Sequence, residues 1–224
     1  MALFDVDAGK AAAALDELGT AASFHLTDVA DEAGVQQSVI AAKSAMGGLN
    51  VAISCAGILG AGRALGKDGA MPLARFETTV RVNLIGSFNV AKAAAEHMQN
   101  NAPGEDDERG VIINTASIAA FEGQIGQAAY SASKGGVVAM TLPLAREFAR
   151  IGVRVVTIAP GVFHTPMVDG MPPSVYESLC AQVPFPSRLG KPEEFADAVA
   201  FVLQNRYVNG ETLRIDGAVR LQPK

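Results

Sequence analysis

Residues 110–136 read GVIINTASIAAFEGQIGQAAYSASKGG. The stretch opens on a short apolar, β-branched run at 111–115, the pattern of a buried strand, and closes on a helical pattern. Comparable runs recur at 22–26, 49–54, 153–159 and 212–215, an apolar ALFD opens the chain, and helical stretches separate them. Strands that alternate with helices need crossover connections and therefore pair in parallel, with helices covering both faces of the sheet. The expected architecture is α/β, a doubly wound parallel sheet of Rossmann-like form, in a single domain spanning residues 1–224.

The composition narrows the function. The chain has 224 residues, 49% of them hydrophobic, and a net charge of −5, enough apolar material for a full core. It lacks the Lys/Arg run that marks a nucleic-acid or anionic-lipid partner. Every long apolar stretch is broken by Pro, Gly or charge well before the roughly 18 residues of a membrane span. Cys55 and Cys180 show neither a CxxC spacing nor a His-rich neighbourhood, so neither a disulfide framework nor a zinc site is expected. The acidic segment NNAPGEDDERG at 100–110 lacks ligand-like spacing and reads as a surface loop, with no metal. The glycine-rich 60–72 reads as a second loop. These features predict a cytoplasmic protein that acts on a small molecule.

Within 110–136, Ser117 lies just past the strand, and Tyr130 and Lys134 stand four residues apart. On a helix that spacing stacks the two side chains on one face and brings an ammonium near a phenol. Free tyrosine titrates near about 10, and a neighbouring cation favours the phenolate needed for acid/base work at neutral pH. Ser117, at the carboxyl end of a parallel strand, is placed to hold a substrate oxygen.

Six motifs in order then carry a resemblance: the acid closing ALFD, TDV at 27–29, CAG at 55–57, VNLIGSFNV at 82–90, Ser117 with Tyr130 and Lys134, and PGVFHTP at 160–166. Together they resemble the short-chain dehydrogenase/reductase family along the whole chain. The resemblance implies hydride transfer between NAD and a secondary alcohol. Tyr130 would be the general acid/base, Lys134 would lower its pKa and bind the nicotinamide ribose, and Ser117 would hold the reacting oxygen. Asn83 would break its helix locally to hold a water that relays protons from Lys134. Asp5 would accept hydrogen bonds from the adenosine ribose and select NAD over NADP, because a 2′-phosphate would meet like charge. Asp28 and Val29 would flank the adenine, Cys55, Ala56 and Gly57 would line the middle of the cofactor, and Pro160, Gly161, Val162, Phe163 and Thr165 would hold the nicotinamide end.

The stretches APGVFHTPM, QVPFPSRLGKPEEFA and NGETLRIDGAVRLQP are similar to the 3-hydroxyacyl-CoA dehydrogenase branch of that family. That branch implies substrate contacts at Gln124 and Gln127 and a lid over 163–187, with Met167, Met171 and Phe185 as its apolar cover. It also implies a homotetramer. His25 and His97 read as packing residues, and His164 as a neighbour of the nicotinamide end. Where the family has Asn-Asn-Ala-Gly, this chain has Ser54-Cys55-Ala56-Gly57, and Cys55 fits as a small apolar wall.

The resemblance also implies an opening strand and a TGxxxGxG phosphate loop. The chain starts at what reads as the second strand, about 30 residues further on, the scale of one strand–helix–strand unit. The segment GILGAGRALG at 57–66 has the wrong glycine spacing to replace that loop. Three explanations stand: a start assigned too far downstream, a shortened protein, or a rearrangement in which the strand ending at Asp5 pairs with the one ending at Ser54. With them stand two other functions, a catalytically silent scaffold or binding subunit and a 3-oxoacyl reductase of NADPH type, the second opposed by Asp5.

Overall fold

The computed structural model describes residues 1–67, 69–165 and 172–223. Its strands are β1 (Ala2–Asp5), β2 (Ser23–Leu26), β3 (Val51–Ser54), β4 (Leu65–Gly66), β5 (Gly69–Ala70), β6 (Gly110–Thr115), β7 (Val153–Pro160) and β8 (Thr212–Ile215). Its helices are α1 (Ala8–Leu18), α2 (Glu32–Met46), α3 (Leu73–Val80), α4 (Gly86–Met98), α5 (Ala128–Phe148), α6 (Pro173–Ala181) and α7 (Pro192–Gln204). The major strands coincide with the apolar runs to within two residues at each end.

The doubly wound parallel character holds, but in two sheets. β1 pairs with β2, and β3, β6, β7 and β8 form a four-stranded parallel sheet in that order. β6 and β7 are buried along almost their whole length because helices cover both faces. Successive side chains alternate between those faces. Ile112, Val153 and Val155 meet Val35 and Val39 of α2, Ala91 to Met98 of α4, and Leu144 and Phe148 of α5. Val111, Ile113, Val156 and Ile158 meet Val202 and the half-buried face of α7.

The first of these clusters also includes Phe4 of β1 and Ala52 of β3, so the common helices tie the two sheets together. The direct pairing of the strand ending at Asp5 with the one ending at Ser54 is not realised. Phe4 stands opposite His25, and Ile53 stands opposite Ile113. Packing on α2 and α4, not a backbone ladder, relates β1 to β3, and Val51 and Ile53 stay 38% and 43% exposed.

Two loop expectations are refined. The 60–72 segment contains the antiparallel hairpin β4–β5, with Leu65 opposite Ala70. The acidic 100–110 segment is held by arginines: Glu108 pairs with Arg154 at 2.5 Å and Glu105 with Arg206 at 2.8 Å. Among the described residues no group of three His, Cys, Asp or Glu side chains is placed to hold a metal ion. Nor is any described helix long and apolar enough to cross a membrane.

Core truncation should separate the two kinds of strand. Ile112→Ala, at a fully buried position, should lower unfolding stability by about 2–5 kcal/mol. Ile53→Ala, on the exposed edge strand, should cost less than about 1 kcal/mol. Chemical denaturation monitored by circular dichroism checks both, and equal losses would contradict the open edge at β3.

Candidate active site

Because the strands run parallel, the residues following β3, β6 and β7 meet at one edge of the sheet. Lys134 rises into this edge from α5 and is 4% exposed. A buried ammonium needs an acceptor, and it donates to the Thr115 carbonyl at the end of β6 over 2.7 Å. Burial lowers its pKa to about 8, and the nearby Cys55 sulfur pulls in the opposite direction. Cys55 is exposed and within 3.7 Å of the Thr115 hydroxyl, so it lines the cleft from the open side.

Tyr130 shares the helix face of Lys134, whose Nζ lies 5.9 Å from the phenol ring centroid. Here the electrostatics differ from the expectation. Burial pushes the Tyr130 phenol above its usual range, and the opposing influence comes from Ser117. Desolvation of the phenol outweighs the Ser117 hydrogen bond. Ser117 caps the 3-10 turn Ile118–Ala120, its Oγ accepting from the Ala119 N–H at 3.1 Å. That bond leaves its own proton to donate.

Asn83 is the keystone behind these groups. It sits in a π-helical turn, Arg81–Ile85, inside the continuous helix that runs from α3 into α4. The extra residue in a π-turn displaces a side chain from the regular helical face. Asn83 is fully buried. Its Nδ2 donates to the Ile58 carbonyl and to Ser133 Oγ, both at 2.9 Å, and its Oδ1 accepts from the Ile58 N–H at 2.8 Å. The loop after β3 is thereby locked to α5. Gly57 passes so close that a Cβ there would lie 3.3 Å from Asn83 Oδ1 and 3.4 Å from Lys134 Nζ.

The remaining residues divide by sheet. Asp5 ends β1, is exposed, and accepts the Asp7 N–H at 2.9 Å. Asp28 accepts from the Ala30 N–H, and Val29 packs on Gly86 with its carbonyl held by Asn89 at 3.0 Å. Past β7, Pro160 ends the strand and the Gly161 N–H bonds the Ile215 carbonyl at 3.0 Å. The glycine there admits the Asp216 backbone, 2.9 Å from where a Cβ would stand. Val162 and His164 both bond Gly190, Phe163 bridges to it, and His164 stacks edge-on with Tyr176. Ala56 and Thr165 are exposed. Met167 and Met171 of the expected lid lie outside the described residues, and Phe185 is largely exposed.

Gln124 and Gln127 line a cavity of about 770 Å³ together with Phe121, Ser131 and Arg63. Part of their polar capacity is spent internally: the Gln127 Oε1 accepts from the Gln124 N–H, and the Gln124 Nε2 donates to the Gln222 carbonyl. Ser133, Thr115 and Arg63 were not singled out from the sequence. Ser133, three residues past Tyr130, shares its helix face, and that spacing was the available signal.

Residues 1–219 match the family described as enoyl-(acyl carrier protein) reductase. The chain is 49% identical over 223 residues to the Homo sapiens 3-hydroxyacyl-CoA dehydrogenase type-2, covering 99% of this chain and 85% of that one. It is 35% identical over 216 residues to the Homo sapiens 3-oxoacyl-[acyl-carrier-protein] reductase, covering 95% and 84%. The crystal structure of 3-hydroxyacyl-CoA dehydrogenase type-2 from Mycobacterium avium superimposes with a TM-score of 0.94 at 42% identity, covering 100% of this chain and 87% of that one. The chain belongs to the short-chain dehydrogenase/reductase family. It is an oxidoreductase.

The burial of this dehydrogenase's lysine can be read directly. In the ligand-free protein Lys134 should titrate with a midpoint near 8, below surface lysines, and Cys55→Ser should lower it further by removing the influence that raises it. pH-dependent amine labelling followed by mass spectrometry measures both, and a midpoint near that of free lysine would contradict the desolvated environment.

Proposed function

We propose that the chain oxidises the 3-hydroxyl of an acyl thioester with NAD as hydride acceptor, and reduces the corresponding ketone in reverse. The observation that carries this reading is the grouping of Ser117, Tyr130 and Lys134 at the carboxyl edge of a parallel sheet, beside a cavity of about 770 Å³. The higher identity to the 3-hydroxyacyl-CoA dehydrogenase than to the 3-oxoacyl reductase supports the substrate class.

The residues present suit the adenosine end and the middle of the cofactor. Asp5 offers an exposed carboxylate at a strand end, and Gly57 leaves the cleft open where a side chain would intrude on Lys134. The N-terminus of α1 is a poor pyrophosphate seat, because Asp7 already accepts its Gly9 and Lys10 N–H groups. When bound, the nicotinamide supplies or accepts the hydride. Ser117, whose hydroxyl faces the Tyr130 phenol in the ligand-free protein, turns its proton to the substrate oxygen and fixes its position. Tyr130 exchanges the proton with that oxygen; its phenol is protonated at neutral pH, the form suited to ketone reduction, and burial further favours that form. Lys134, restrained by Thr115 and backed by Asn83 through the Ile58 loop, keeps positive charge on this helix face below about pH 8. The tetramer belongs to the same proposal, supported by exposed Ile85 of the π-helical turn, Phe88 on α4 and Leu142 on α5, as does a reducing, cytoplasmic setting, supported by two free cysteines.

A short-chain 3-hydroxyacyl-CoA mixed with NAD should give reduced nicotinamide, followed by absorbance. Tyr130→Phe should cut kcat by about 10²–10⁴-fold while leaving NADH affinity within about twofold, because general acid/base catalysis contributes on that scale. Absence of turnover by the unaltered protein, or full activity in Tyr130→Phe, would overturn the proposal.

A further inference from the structure

The wall of the cavity formed by residues 119–127 is held from behind by a distant part of the chain. Arg214 of β8 donates to both carboxylate oxygens of Glu122, at 2.7 and 2.9 Å, across 92 residues of sequence. Its Nε bonds Asp216 at 2.8 Å, and its guanidinium lies 5.0 Å over the ring of Phe121. Arg220 closes the network, 3.4 Å from Glu122 and 3.1 Å from Asp216. Glu122 and Arg214 are each 24% exposed, and a forked, partly desolvated pair of this kind is both strong and directional.

Beyond this pair the C-terminal segment continues along the back of the loop. Gln124 Nε2 donates to the Gln222 carbonyl and the Ile125 N–H to the Pro223 carbonyl, each at 3.0 Å. Val219 and Leu221 pack with Ile118 and Val183 beneath it. On the cavity side the loop is held by one further bond, from the Gly62 N–H to the Gly126 carbonyl. Neither Glu122 nor Arg214 lines the cavity, whereas Phe121, Gln124 and Gln127 on the same loop do.

We infer that Glu122 and Arg214 are positioning residues that clasp the C-terminal segment to the cavity wall and so set substrate affinity without entering the chemistry. The kinetic part of this inference rests on the dehydrogenase reading above; the mechanical part does not. Ser117 is fixed by its own turn and Lys134 by Thr115, so loosening the clasp spares both.

Two variants of the full chain test this. Glu122→Gln keeps the size and removes the charge, and Arg214→Lys keeps the charge and removes the fork. In both, amide hydrogen exchange across 121–127, beyond the turn that holds Ser117, should quicken by about tenfold. KM for the 3-hydroxyacyl thioester should rise by about tenfold, with kcat and the NADH Kd within about twofold of the unaltered protein. Unchanged exchange in both variants would overturn the clasp. A joint fall in kcat and NADH affinity would show a general structural role instead and would also overturn it. If the unaltered protein turns over no 3-hydroxyacyl thioester, the functional reading fails, and the exchange result alone decides the clasp.

Discussion

A parallel strand cannot return to its neighbour through a tight turn; each must be followed by a crossover, and the crossover puts a helix on the sheet. Most of this molecule depends on that constraint. It places α2, α4 and α5 on one face and α7 on the other, which is why β6 and β7 read as continuous apolar runs. It also sends the carboxyl ends of the strands to one edge, where Thr115 and Pro160 end their strands and Cys55 and Ser117 lie just beyond theirs. The site is a by-product of strand direction before it is an arrangement of side chains.

Burial then decides the chemistry of that edge. An ammonium and a phenol set into the same helix face both lose water, and each answers by favouring its neutral form. The site offsets this with hydrogen bonds: the Thr115 carbonyl accepts one from the Lys134 ammonium, and Asn83, turned inward by a π-helical turn, saturates the Ile58 peptide beside it. The geometry is rigid because the groups that orient Lys134 are themselves hydrogen-bonded.

What could be read in the sequence follows from the range of the interactions. Tyr130 and Lys134 are four residues apart on one helix, and the strands announce themselves through a few β-branched residues, so both were legible. The inward turn of Asn83 was available only through family resemblance, because a π-turn has no compositional signature. The hairpin inside the glycine-rich segment was hidden because Leu65, Gly66, Gly69 and Ala70 carry no strand pattern. The hold of Arg214 on Glu122 was invisible for another reason: the partners lie in unrelated stretches, and only the β7–β8 pairing and the loop after Ser117 bring them together. Equally, no local rule foretells that Gly161 is small enough to admit the Asp216 backbone.

The buried lysine has a thermodynamic side. Unfolded, Lys134 holds its proton to about 10.5; folded, it surrenders it near 8. Between those values the unfolded chain carries more protons than the folded one, so raising the pH through this window relieves a penalty and favours the folded state. A ligand that presents hydroxyl or carbonyl oxygens to the same ammonium acts in the opposite sense: it resolvates the charge and draws a proton from solution as it binds. Above pH 8, occupancy of this cleft and proton uptake are one coupled equilibrium, and the affinity of any such ligand falls as the medium becomes more alkaline.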